Sequence, residues 1–173
     1  MVNVILIPDG ENCTWYDWLS TELVKRGHSF FLPQFPSKKE GISAWVEALK
    51  DYRKHLGESS IIIGHGAGRV IVLRILEEKL REVSGAFFIP GSSIKSSFKD
   101  FSFDDLDFSI IKDKARNFFV YSAEDDDSSS FSESEDLADR LDEEVLVYEG
   151  PEHFKKCEKF EDLLIDILSL IEN

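Results

Sequence analysis

Positive charge is scarce in this sequence: 20 lysines and arginines face 34 aspartates and glutamates, for a formal net charge of −14. Nucleic acids and anionic membrane surfaces are bound through Lys/Arg neutralisation of phosphate, so the balance argues against both as partners. The acidity reads as simple solubility or, alternatively, as an acidic face for a basic partner. Cysteine is nearly absent. Cys13 and Cys157 make neither a disulfide framework nor a zinc motif, which fits a reducing, cytoplasmic setting. No apolar run approaches the roughly 18 residues of a membrane helix. Met1 to Ile7 is apolar but runs into Pro8-Asp9-Gly10, and so reads as a buried strand rather than a leader. No cofactor is expected. The partner is an unknown protein or small molecule.

Hydrophobic residues make up 42% of the chain and aromatics 12%, with 14 phenylalanines against one methionine. That is the composition of a globular protein, and 173 residues fit one domain spanning 1–173. Short apolar runs at Val2–Ile7, Ser29–Leu32, Ser60–Ile63, Val83–Ile89, Asn117–Tyr121 and Val145–Tyr148 predict strands. Helical spacing predicts helices at Trp15–Arg26, Ser43–His55 with Ser43 as N-cap, Arg69–Leu80, Ser132–Leu141 and Phe160–Ile171. Strands alternating with helices predict an α/β fold: a six-stranded parallel sheet between two helical layers. Residues 92–109, rich in Ser, Asp and Phe, match no element. Their phenylalanines either cover the core or form an interface.

Ligands of open parallel sheets bind beyond the carboxyl ends of the strands. The loops there are 8–14, 64–68, 122–131 and 149–157. The second of them is Gly64-His65-Gly66-Ala67-Gly68, directly after Ile61-Ile62-Ile63 and before a helix. Strand, glycine-flanked turn and helix are the setting of the G-x-S-x-G nucleophile elbow of α/β-hydrolases. The central position holds Gly66, which has no side chain with which to attack a carbonyl.

The elbow, Trp15-Tyr16-Asp17-Trp18-Leu19, Ala123-Glu124-Asp125-Asp126, Asp136 to Leu141, and His153-Phe154 occur in an order and spacing that resemble one family across nearly the whole chain. It is that of the small serine hydrolases of the YdeN and retinoblastoma-binding-protein-9 type, a compact α/β-hydrolase variant, and the resemblance implies the strand order 2-1-3-4-5-6. The resemblance puts Gly66 at the nucleophile position, Asp126 at the triad acid and His153 at the triad base. It makes Gly10 and Ala67 the oxyanion-hole-like positions. In such a triad the serine attacks, the histidine takes its proton and the carboxylate orients the imidazole. Three further departures accompany Gly66. Asp9-Gly10-Glu11-Asn12 replaces a glycine-rich turn and brings negative charge where an oxyanion would develop. Asp127-Ser128-Ser129-Ser130 follows the acid in place of an apolar residue and proline. Pro151-Glu152 replaces the glycines before the histidine.

The expected role is therefore that of a pseudo-enzyme acting as a binding or interaction module. The alternative is a carboxylic-ester or amide hydrolase carrying a nucleophile-to-glycine change. Several residues keep two readings. His153 faces Asp126 or is an exposed leftover. Asp125-Asp126-Asp127 is a solvated turn or a cation site. His65 reads as structural, and His28 and His55 as surface residues. Cys13 could reach the cleft, but Asp9 and Glu11 would raise its pKa. Cys157, beside Lys155, Lys156 and Lys159, has the more favourable electrostatics for reactivity.

Overall fold

β-branched and aromatic side chains, alternating in the face they present, build the sheet at the centre of the molecule. A computed structural model describes residues 1–10, 12–78, 81–124, 128–149, 154 and 156–172. The strands are β1 (Asn3–Ile7), β2 (Ser29–Phe31), β3 (Ser60–His65), β4 (Gly85–Ile89), β5 (Phe118–Ala123) and β6 (Val145–Tyr148). All pair in parallel, in the predicted order β2-β1-β3-β4-β5-β6. The helices are α1 (Thr14–Lys25), α2 (Gly41–Ala48), α3 (Gly68–Glu77), α4 (Ile94–Ser97), α5 (Phe108–Lys112), α6 (Ser128–Leu141) and α7 (Glu161–Glu172).

Successive strand residues point to opposite faces, so the two sides have separate cores. On one side Ile5, Ile7, Ile62, Ala86, Phe88 and Val120 pack under α2, α3, α5 and α6. On the other Val4, Leu6, Ile61, Ile63, Phe87 and Tyr121 pack under α1 and α7. β1, β3 and β4 are buried along nearly their whole length, which is why their sequences are almost continuously apolar. α3 is buried nearly all round, and its start presses against β1: a Cβ on Gly68 would overlap the carbonyl oxygen of Ile7. No helix among the described residues is long and apolar enough to cross a membrane.

Several boundaries differ from the sequence expectation. β3 continues through Gly64 and His65, which pair with Ile7 and Ile89. Ser43 is not an N-cap: a 3-10 turn at Lys38–Glu40, capped by Ser37, leads straight into α2, and the segment tightens to 3-10 geometry over Lys50–His55. Val83 is not part of β4 but makes an isolated bridge to Ala115. α6 begins a turn earlier than predicted, at Ser128. The unassigned stretch folds into α4, a 3-10 turn at Phe103–Asp105 and the start of α5. Phe98, Phe101 and Phe103 are buried there and Phe108 half-buried, so these rings cover the core.

Candidate functional site

Three chain turns converge beyond the carboxyl ends of β1, β3 and β4, and Asp9 joins them. Its side chain is 4% exposed. Oδ1 accepts the Ala67 N–H at 2.8 Å and is 3.1 Å from the Lys38 ammonium, while Oδ2 accepts the Ser92 N–H at 2.8 Å. Burial by itself would raise the Asp9 pKa. The electrostatic influence of His65, the two main-chain donors and Lys38 outweigh it, and hold the carboxyl well below the ordinary carboxylate range. The group is thus a fixed anion at physiological pH.

Gly66 lies against this carboxylate. Its φ is +53°, in the left-handed region, and its N–H donates to the Ile89 carbonyl at 2.9 Å. A Cβ at this position would overlap the Asp9 carboxyl carbon and its oxygens. Gly91 closes the arrangement, since a Cβ there would lie 2.8 Å from Asp9 Oδ2 and 2.8 Å from the Gly66 Cα. The N–H of Ala67 is engaged by Asp9. Gly10, with φ +110°, is exposed and lines an adjoining cavity.

Two buried polar groups brace the turn from either side. His65 is fully buried, as a structural residue would be, with Nδ1 2.6 Å from the Tyr16 hydroxyl. That hydroxyl also accepts the Asp9 N–H at 3.4 Å, and burial pushes its pKa up. Below the turn, Arg69 is 1% exposed. It donates Nε–H to the Gly66 carbonyl at 2.9 Å and Nη2–H to the Ser92 carbonyl at 3.3 Å, and pairs with Glu133 at 3.2 Å. Glu133 in turn accepts from the Ser93 hydroxyl and the Ile94 N–H, at 2.7 and 3.1 Å, at the start of α4. Sequence reasoning missed Lys38, Arg69, Ser92 and Glu133. Only the negative charge of Asp9 beside the elbow hinted that a cation and amide donors had to be near.

Of the remaining sequence-predicted residues, Glu11, Asp125, Asp126, Asp127 and His153 lie outside the described residues. Phe154 is described: it is buried, has φ +56°, stacks on Phe160 at 4.5 Å, and accepts the Trp15 indole N–H at 2.7 Å. Cys13 is buried, with Sγ 4.0 Å from His65 Nδ1. Cys157 is half-buried: burial pushes its thiol up to about 11, and its Sγ donates to the Phe154 carbonyl at 3.4 Å. His28 and His55 are half-buried rather than surface residues. His28 Nδ1 accepts the Val2 N–H at 3.4 Å, and His55 stacks on Phe31 at 4.3 Å.

Next to Asp9 opens a cavity of about 990 Å³. One wall is the segment from Pro36 to Trp45 and the other the segment from Ser96 to Phe101.

Comparison with known proteins places the chain in a family. The family model described as "Serine hydrolase" matches residues 8–167. YdeN of Bacillus subtilis (strain 168) is 27% identical over 164 residues, which cover 90% of this chain and 86% of that protein. The crystal structure of the B. subtilis ydeN gene product superposes with a TM-score of 0.86, at 20% identity and with both chains fully covered. A CIB-like hydrolase from Thermoplasma acidophilum superposes with a TM-score of 0.71 at 16% identity, covering 99% of this chain and 86% of that one. These likenesses to solved structures speak for the fold.

Proposed function

The chain belongs to the serine hydrolase family, and within it we propose that it is a pseudo-enzyme, a hydrolase scaffold that binds ligand or partner without acyl transfer. Gly66 stands at the nucleophile position in this reading, Asp126 and His153 at the acid and base, and Gly10 and Ala67 at the oxyanion-hole positions. The observation that carries it is the Asp9 carboxylate, which fills the space a side chain on residue 66 would need and takes the Ala67 N–H.

Two losses follow from that one contact. Without a nucleophile, catalysis falls by a factor on the order of 10⁶, to roughly 10³–10⁴ over water from the rest of a site. About 10²–10³ of that remainder belongs to an oxyanion donor, and here the Ala67 donor faces a resident anion. An oxyanion developing beside Asp9 would be repelled rather than stabilised. The kinship to the YdeN and retinoblastoma-binding-protein-9 type then describes ancestry of scaffold, with a binding role in the cytoplasm.

The test is turnover of short p-nitrophenyl esters and labelling by a fluorophosphonate probe, both on the unaltered protein. Neither is expected above the buffer rate. Turnover that disappears in His153→Ala, or a covalent adduct on any side chain of the pocket, overturns the reading.

A further inference from the structure

The acidity of the chain is not spread along it. Residues 124–173 hold 18 of the 34 aspartates and glutamates but only 4 of the 20 lysines and arginines, which is the whole net charge of −14; residues 1–123 are neutral. That last stretch builds one end of the molecule, where β6 is the outermost strand beyond β5, with α6 on one face and α7 on the other. β6 has a neighbour on one side only. The Tyr148 carbonyl accepts the Glu124 N–H on the β5 side at 2.9 Å. Peptide groups alternate in direction along a strand, so those of Val145 and Val147 turn outward, and no strand among the described residues pairs with them there. Val147 is 54% exposed. Glu143, Glu144 and Glu149 flank the strand, are exposed, and make no ion pair among the described residues.

We propose that the β6 edge is a docking surface for a basic polypeptide segment, which adds to the sheet as an extended further strand. The outward peptide groups of Val145 and Val147 supply the main-chain pairing, and the Val147 side chain an apolar contact. The carboxylates around them select the sign of the partner. A second copy of this chain is the wrong occupant. In the antiparallel register that joins Val145 of one copy to Val147 of the other, Glu143 faces Glu149, and like charges directly opposite destabilise a strand pair. The open edge invites a strand, and the one-sided charge rejects self-pairing while attracting a cationic segment. The surface lies away from the Gly66 turn, so it stands apart from the non-catalytic reading: esterase activity would leave it untouched.

The probe is a labelled, end-capped peptide of alternating lysine and valine, followed by fluorescence anisotropy as the full chain is titrated in. One control is the same peptide N-methylated at two adjacent central residues, which blocks both of its edges without altering its charge. The other carries glutamate in place of lysine. The basic peptide is expected to bind at least about tenfold more tightly than the methylated one at low salt, with affinity falling as salt rises, and the acidic one not to bind. Val147→Pro removes an outward N–H at an edge position that tolerates proline, and should weaken binding at least about tenfold. Glu143→Lys with Glu149→Lys should do the same with an unchanged melting temperature. If Val147→Pro does not fold, the methylated peptide still tests the edge. Equal binding of the methylated peptide, binding of the acidic one, no binding of the basic one, or an unchanged affinity in either folded variant overturns the proposal. So does a dimer of the unaltered protein in sedimentation that Val147→Pro dissolves.

Discussion

The Asp9 carboxylate and the missing side chain of Gly66 are two halves of one packing arrangement. The carboxyl group stands where a Cβ on residue 66 would project, and its oxygens are held there by the amides of Ala67 and Ser92. Neither residue is explained without the other.

Gly66→Ser by itself should therefore fail. The new side chain collides with Asp9 and adopts a backbone angle that disfavours it, for a combined cost of about 2–4 kcal/mol. Pairing it with Asp9→Gly removes the collision. In urea denaturation, the double variant should lose less stability than the sum of the single variants, by about 1–3 kcal/mol. Strict additivity would show that the two positions do not compete for space.

The acid limb of stability should report Asp9. Its folded-state pKa lies below the ordinary 3.8, so its contribution is complete at pH values above that and drains away as pH falls through it toward the folded value. Asp9→Ala strips a buried carboxylate from two amide donors and Lys38, and should cost about 2–3 kcal/mol at neutral pH. The cost should shrink as pH is lowered below 3.8. A cost that is constant from pH 7 to pH 3 would contradict a depressed pKa.

Cys157 should be a sluggish thiol despite its lysine neighbours. With the thiol pushed up to about 11, little thiolate exists at neutral pH. Alkylation by iodoacetamide in the folded protein, followed by mass spectrometry, should be at least about tenfold slower than in urea, because reactivity tracks thiolate and access. Equal rates in the two states would rule this out.

The sheet could be read from the chain because β1, β3 and β4 are enclosed on both faces and so spell out nearly unbroken apolar runs. Their order came with the family resemblance, because alternation with helices leaves several orders open. Element ends were harder. Ser43 has the chemistry of an N-cap, yet the 3-10 turn at Lys38–Glu40 had already set the helical path. Gly64 and His65 look like turn residues, but neighbours on both sides, Ile7 and Ile89, draw them into the ladder. At the site, the glycines and the acidity of residue 9 were visible. The partners of that carboxylate were not, because Lys38 lies 29 positions away and Ser92 lies 83. Chain crossovers bring them together, and no local pattern records it. Arg69 was equally hidden: a guanidinium on a helix buried nearly all round is tolerable only because Glu133, from α6, arrives to meet it.

Gly91 completes the constraint on residues 9 and 66, since bulk there would press on both. Positions 9, 66 and 91 thus behave as one locus spread over three strands' ends. Added bulk at residue 66 or 91 needs room made at its neighbours in the trio, so such a substitution is expected to be tolerated only with a compensating change beside it.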